Sequence, residues 1–335
     1  MKGVNIFGVK KQSCPTLEDL KNEKLRRLAK RLTRNSEKET LTNILEWEDR
    51  NMQYWKERFI FPFIIIFIVI VVFVTLIPCK LLLWKLLLIV AVSVSAVVLI
   101  YLIASYWLHF RGYQVSIKRL LIDTFQFSLS VEKILKYRLA VCRDYAKLTA
   151  ALLLNIYPES EVYFIAVPLH VAVMVKLQGK YYALDKKLPV LTLSRWLKAN
   201  RHLTRLSLRK IANVYASKLI RDSEGKPLGI EFKKCERIPI LDFSEEQVNT
   251  EKLTKEVAKL LKINQMSQER EPDFKITIPN FANYFEDDEI VMYSMARAIK
   301  LKLENELCSN FENIEKIEIK QDGVDLIVFT YLRNK

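Results

Sequence analysis

The sequence predicts an α+β protein built in three parts. A two-helix transmembrane hairpin comes first, then a domain with a helix packed on a small antiparallel sheet, then a small α+β C-terminal domain. Three observations lead there. Two long uncharged apolar runs lie side by side within residues 59–110. A helix-period stretch from Cys142 gives way to period-two strands after Pro158. Helix and strand patterns then return in an acidic tail. The implied boundaries are 1–58 for a basic N-terminal helical segment, 59–110 for the two spans, 111–240 for the cysteine-bearing domain and 241–335 for the acidic tail domain.

Composition narrows the chemistry. The 335 residues carry a net charge of +15, unevenly placed. Residues 1–58 have 14 basic and 9 acidic side chains, 176–237 have 16 and 5, and 238–335 have 13 and 19. Cysteines stand at 14, 79, 142, 235 and 308, without a Cys-x-x-Cys pair, and there are three histidines. That pattern argues against a zinc site or a disulfide framework and for a reducing compartment. Seven glycines cannot build a phosphate-cradling loop. No metal and no cofactor are expected.

The elements follow in order. Leu17, Leu20, Leu25, Leu28 and Leu32 recur at helical spacing among charges, as in a juxtamembrane helix. "FIFPFIIIFIVIVVFVTLI", Phe59 to Ile77, is 19 residues without a charge, and Leu86 to Leu108 is 23. Each suffices to cross a hydrocarbon core of roughly 30 Å. Trp84, Tyr101, Tyr106 and Trp107 flank them as interface anchors. Lys and Arg crowd both outer flanks, so the expected location is the cell membrane, multi-pass, with both termini and the cysteine-bearing domain cytoplasmic. Two amphipathic helices are expected over 113–139, then a helix from Cys142 that ends before Pro158. "EVYFIAV", "HVAVMVKL" and "YYALD" read as strands, followed by a basic helix from "LSRWLKANRHLTRL". "IANVYASKLI" fits helix or strand. Helices at "TEKLTKEVAKLLKIN" and "DEIVMYSMARAIKLKLENEL" and a hairpin turning at "QDG" close the chain.

Three side chains carry the chemistry: Cys142 at a helix start, His170 at a strand start and Asp185 at a strand end. A thiol attacks as its thiolate, and a helix N-terminus and a neighbouring imidazolium both favour that form. The histidine can then protonate a leaving group, and a carboxylate on its other nitrogen sets the tautomer. Strand register tests the set. With a two-residue loop at Gln178–Gly179, Leu177 opposes Lys180 and Asp185 opposes Ala172, diagonal to His170 at roughly 7–8 Å between backbones. A three-residue loop would turn Asp185 away. Small Ala172 is expected to leave room for the Cys142 helix. The Cys142 backbone N–H would serve an oxyanion hole, with Tyr137 as a candidate second donor. Asp144, in the first turn, is read as complementing the helix N-terminus, with support of the site as the alternative.

"CRDYAKLTAALL", a histidine opening a strand and then "YYALD" resemble the core of the transglutaminase-like superfamily, over roughly 134–196. The resemblance suggests a membrane-anchored prokaryotic member. It implies a papain-like fold with Cys142 as nucleophile, His170 as general acid/base and Asp185 as orienting acid. The family often has tryptophan two residues after the histidine, Pro-Thr after the aspartate and glycine shortly before the cysteine. Here those places hold Ala172, Lys186–Lys187 and Leu139–Val141.

The implied activity is acyl transfer through a thioester: hydrolysis of a peptide or amide bond, or transamidation onto an amine. Hydrolysis is favoured, because no amine site is visible. The alternatives are a catalytically silent binding module and a membrane-tethered scaffold. Arg195 to Arg221 holds eight basic residues and no acid. Such a run suits an anionic lipid surface, at about 1 kcal/mol per basic residue. The expected partners are therefore membrane lipid and a protein or peptide substrate, with no nucleic acid.

Overall fold

The computed structural model describes residues 13–55, 126, 128–167, 170–200, 211–224, 227–239, 247–263 and 270–333. Its centre is a six-stranded antiparallel sheet. The strands are β3 (Val162–Val167), β4 (His170–Leu177), β5 (Lys180–Leu184), β6 (Leu191–Thr192), β7 (Ile211–Arg221) and β8 (Pro227–Pro239). Their spatial order is β6-β5-β4-β3-β7-β8.

Helix α5 (Cys142–Ile156) covers one face of this sheet. Alternation along β3 and β4 decides which side chains it meets. Val162, Phe164 and Ala166, with Val171, Val173, Val175 and Leu177, join the main core with Leu148, Leu152 and Leu153 of α5. Each fully buried large aliphatic side chain contributes about 1.5–3 kcal/mol. The other face buries Ile165, Val167, Ala172, Met174 and Ala183 against Trp196 and Leu197 of α6 (Leu193–Ala199). Ala172 therefore packs toward α6, and the Cys142 helix approaches the opposite face. The expectation that Ala172 makes room for that helix is corrected.

The segment before residue 59 is built into this core. Helices α1 (Leu17–Lys21), α2 (Glu23–Leu32) and α3 (Glu37–Asn51) lead to a short strand β1 (Gln53–Tyr54). Leu25, Leu28 and Leu32 are buried in the main core, and α2 packs against α5. Asp19 accepts the Val131 N–H at 2.8 Å and pairs with the buried Lys147 of α5 at 3.3 Å. Strand β1 pairs in parallel with β2 (Leu139–Ala140), which follows α4 (Val131–Tyr137) and immediately precedes Cys142.

The tail holds α7 (Thr250–Leu261), α8 (Glu289–Leu307) and a three-stranded sheet. Its strands are β9 (Phe274–Ile278), β10 (Ile314–Asp322) and β11 (Asp325–Leu332). The two helices and the β10–β11 hairpin lie where the sequence pattern places them. The tail docks through polar contacts: Tyr182 Oη to Asp288 at 3.0 Å, Val190 N–H to Ser294 at 2.7 Å and Arg297 to Glu46 at 2.6 Å.

No helix among the described residues is long and apolar enough to cross a membrane. The longest, α8, has 19 residues but carries Arg297, Lys300, Lys302 and three glutamates. This corrects the expected two-helix transmembrane hairpin, and with it the multi-pass, cell-membrane location. The proposed spans within 59–110 lie outside the described residues. The basic segment ahead of them spends its apolar stripe on α5 instead of standing free as a juxtamembrane helix. The basic run is also divided. Helix α6 ends at Ala199, 201–210 lie outside the described residues, and β7 is a strand. Arg195 is buried beside Glu286, and Trp196 is fully buried.

Candidate active site

The sharp entry into α5 begins with Asp144, which is wholly buried. One carboxylate oxygen accepts the Leu129 N–H at 2.9 Å and the other the Val141 N–H at 3.2 Å. This reciprocal bond across the first turn is half of a capping box. It holds the chain extended at Val141, so that Cys142 stands first in the helix. Asp144 thus shapes the turn under the cysteine.

His170 opens β4, and Asp185 directly follows β5. The turn between the strands is Gln178–Gly179, with both φ angles positive, as a type I′ hairpin requires. Leu177 pairs with Lys180 and Val173 with Leu184, so the next pair sets Asp185 opposite Ala172. This is the even register. His170 Nε2 lies 2.6 Å from Asp185 Oδ2. The Cys142 thiol lies close enough to His170 and to the Val171 backbone for both to favour its ionised form. With Nε2 engaged by the carboxylate, Nδ1 is the nitrogen left for sulfur.

Electrostatics follow from these contacts. Burial pushes the Cys142 thiol up. The His170 hydrogen bond and charge, Lys186 and the Val171 backbone outweigh it and hold the thiol below its ordinary value. Burial lowers His170, but the charge and hydrogen bond of Asp185, with the thiol, lift it to about 9. Burial raises Asp185, while His170, Lys186 and Trp196 hold its carboxyl below the usual range. At neutral pH this favours a thiolate–imidazolium pair backed by a carboxylate.

Sequence reasoning missed two side chains here. Trp196 donates its indole N–H to Asp185 Oδ2 at 2.9 Å and stacks on His170 with centroids 5.8 Å apart. It lies inside the basic run. An indole directly beside Arg195 was the available signal. Tyr54 is the second: it lines the same cavity, stacks on Tyr145 at 6.4 Å, lies under the Lys186 ammonium at 4.6 Å, and is held above the ordinary phenol range by burial and then by the charge of the neighbouring Cys142. Tyr137, the expected donor, lies buried in the main core at the end of α4. No sequence signal links Tyr54 to Cys142, because a tertiary strand pairing across 59–110 brings them together.

The site opens on a cavity of about 560 Å³, lined by Tyr54, Tyr145, Tyr284, Trp196, Lys186 and Lys187 among others. His170 and Asp185 also line it. Beneath lies Glu48 of α3, wholly buried. One oxygen accepts from Thr149 at 2.6 Å, and the other has no partner among the described residues. Burial, with the charge of Asp185 added, pushes Glu48 up to about 8. No group of His, Cys, Asp or Glu among the described residues could hold a metal ion.

A family model described as a transglutaminase-like domain matches residues 23–215. The chain belongs to the transglutaminase-like domain family. The match starts at α2, far ahead of the motifs at 134–196, and so takes in the α2–α3 layer and β1, which carries Tyr54. The chain is similar to UPF0252 protein MJECL39 of Methanocaldococcus jannaschii, 31% identical over 346 residues, covering 94% of this chain and 93% of that protein. An uncharacterized protein of the same organism, MJECS12, is 37% identical over 60 residues, 18% of this chain and 86% of that protein. No solved structure matches the chain.

Proposed function

We propose that this transglutaminase-like protein is a cysteine-dependent acyl-transfer enzyme acting on a peptide or protein amide. Cys142 is the nucleophile, His170 the general acid/base and Asp185 the orienting acid. One observation carries the reading: at the wall of an open cavity, a single imidazole lies 2.6 Å from a carboxylate and acts on a neighbouring thiol to hold it below its ordinary value.

The steps follow from the protonation states. The Cys142 thiolate attacks the amide carbon, and the carbonyl π pair moves to oxygen. The imidazolium gives its proton to the departing amine as the C–N bond breaks, leaving a thioester. The now neutral His170 takes a proton from water, which attacks the thioester and releases the acid and the thiol. Hydrolysis is the favoured outcome, because water reaches an open cavity without a dedicated site. An amine entering instead completes transamidation. Asp185 stabilises the imidazolium and fixes its ring, while Trp196 fixes Asp185.

The test is labelling of the full chain with iodoacetamide at pH 6, where an ordinary thiol is almost fully protonated. Cys142 should react at least tenfold faster than Cys235 or Cys308, both exposed, and His170→Ala should remove the excess. Equal rates for all three cysteines would sink the enzyme reading in favour of a silent module.

A further inference from the structure

We propose that Lys186 is a specificity-determining residue whose ammonium binds a substrate carboxylate lying next to the scissile amide. This rests on the acyl-transfer reading above and gives its substrate a charge.

The backbone around Lys186 is strained. The Lys187 N–H bonds the Asp185 carbonyl at 2.7 Å, closing a three-residue turn with Lys186 at its centre. There φ is 63°, in the left-handed region, which long side chains seldom occupy. A turn of this kind is rare, and glycine would take it at no steric cost. Lysine stands there instead. Such strain persists only where the surrounding structure holds it, and it gathers at active sites and ligand clamps. Here it reverses the chain directly after the orienting acid. Asp185 reaches His170 at 2.6 Å, and the next side chain lies over the ring of Tyr54, its ammonium 4.6 Å from the centroid.

That ammonium is placed to receive an anion. It lines the cavity together with His170, Asp185 and Tyr54. Among the described residues no carboxylate lies within ion-pair distance of it, and its contact is the Tyr54 ring. The two carboxyls of the cavity wall are engaged elsewhere. Asp185 gives Oδ2 to His170 and to Trp196. Asp49 is raised by burial, with the charge of Lys187 set against it. An ammonium carries three N–H donors and the ring takes up one side of it, so a carboxylate can bind while the ring contact stays.

The neighbours locate this cation relative to the thiol. Tyr54 pairs with Ala140, two residues before Cys142. Tyr145, one turn after Cys142, stacks on the Tyr54 ring at 6.4 Å. The ammonium over that ring therefore stands near the head of α5, and its charge favours the ionised forms of both Cys142 and Asp185. A carboxylate held there belongs to the residue that carries the scissile amide or to its neighbour. An anion approaching a thiolate is repelled, and Lys186 offsets that repulsion.

The test compares two alkylating reagents of nearly the same shape on the full chain at neutral pH. Iodoacetate carries a carboxylate and iodoacetamide does not. Both meet the same thiolate and imidazolium, so a change in the ratio of their rates between variants reads the lysine. Lys186→Met should lower that ratio at Cys142 about tenfold, the loss of one charge-assisted hydrogen bond, and leave it unchanged at the exposed Cys235. Lys186→Gly relieves the backbone and should lower the ratio equally, which separates the charge from the turn. Three peptides then locate the carboxylate by protecting Cys142 from iodoacetamide: acetyl-trialanine amide, acetyl-trialanine with a free C-terminus, and acetyl-Ala-Glu-Ala amide. A charged peptide should protect at about tenfold lower concentration than the neutral one, and only with Lys186 present. Protection by the free acid marks a terminal carboxylate, and by the glutamate peptide a side chain. A ratio unchanged in both variants, or equal protection by all three peptides, overturns the proposal. If Cys142 of the unaltered chain reacts no faster than Cys235 with either reagent, the acyl-transfer reading falls, and this inference with it.

Discussion

Replacing Asp185 by asparagine keeps the side-chain shape and removes its charge. The imidazole of His170 is lifted from 6.5 to about 9, and the charge of Asp185 is the largest cause raising it. At about 1.4 kcal/mol per tenfold change in proton affinity, that lift is worth about 3 kcal/mol to the folded protein. The sign follows from the titration. His170 binds its proton more tightly when folded, so its contribution is complete below about 6.5 and is lost as pH rises through about 9. Asp185 is shifted below its ordinary 3.8, so its share is present above that pH and lost as pH falls through the lower folded value. The stability gap between the native chain and Asp185→Asn should therefore be widest between about pH 4 and 6.5 and should close toward pH 10. Thermal unfolding across that range reads it, as a difference of several degrees at pH 6. In the variant the largest cause lifting His170 is gone, while burial and Lys186 still lower it, so the pH midpoint for Cys142 alkylation should rise toward that of a free thiol. A gap constant from pH 5 to 10 would refute the reasoning, because it would mean that the His170–Asp185 contact is not an ion pair.

Two further outcomes follow from the same surroundings. Trp196→Phe keeps the stack on His170 but removes the donor to Asp185. A hydrogen bond to a charged group is worth about 1.5–3 kcal/mol, so turnover should fall at least tenfold with little change in the KM for a peptide amide. Glu48→Gln should leave stability unchanged at pH 4.5 and raise it at pH 8, read by thermal unfolding. The buried acid is pushed up to about 8 from 4.5. The unfolded chain therefore ionises first, and the folded state loses ground between those two values.

How much was legible depended on whether the governing contact was local. The pairing of His170 with Asp185 could be worked out from alternation along β4 and a two-residue turn, because strand register is set by side-chain periodicity and turn length. The two helices and the closing hairpin of the tail were legible from their own local periods and turn. The ambiguous "IANVYASKLI" became β7 because β3 and β8 supply its partners on either side. β9 was missed, since "FKITI" is short and gains its place only by pairing with β11. The face that α5 covers was misjudged. His170 sits at the strand end, where the thiol reaches it past Val171, and Ala172 points the other way.

By itself the sequence determined a cysteine at a helix start, a histidine and an aspartate on adjacent strands, and the register that joins the last two. These rest on short-range geometry: the free amides of a helix N-terminus and the two-residue period of a strand. The tertiary structure alone decided what surrounds them. It brought Trp196 of α6 onto Asp185, placed Glu48 of α3 beneath the site and threaded β1 beside β2 so that Tyr54 meets Cys142. Each of these contacts joins segments that no local period connects, and each exists because separate elements bury their apolar faces in one core. The same long-range packing explains the leucine stripe of α2, which looked like a free-standing membrane flank and instead closes over α5.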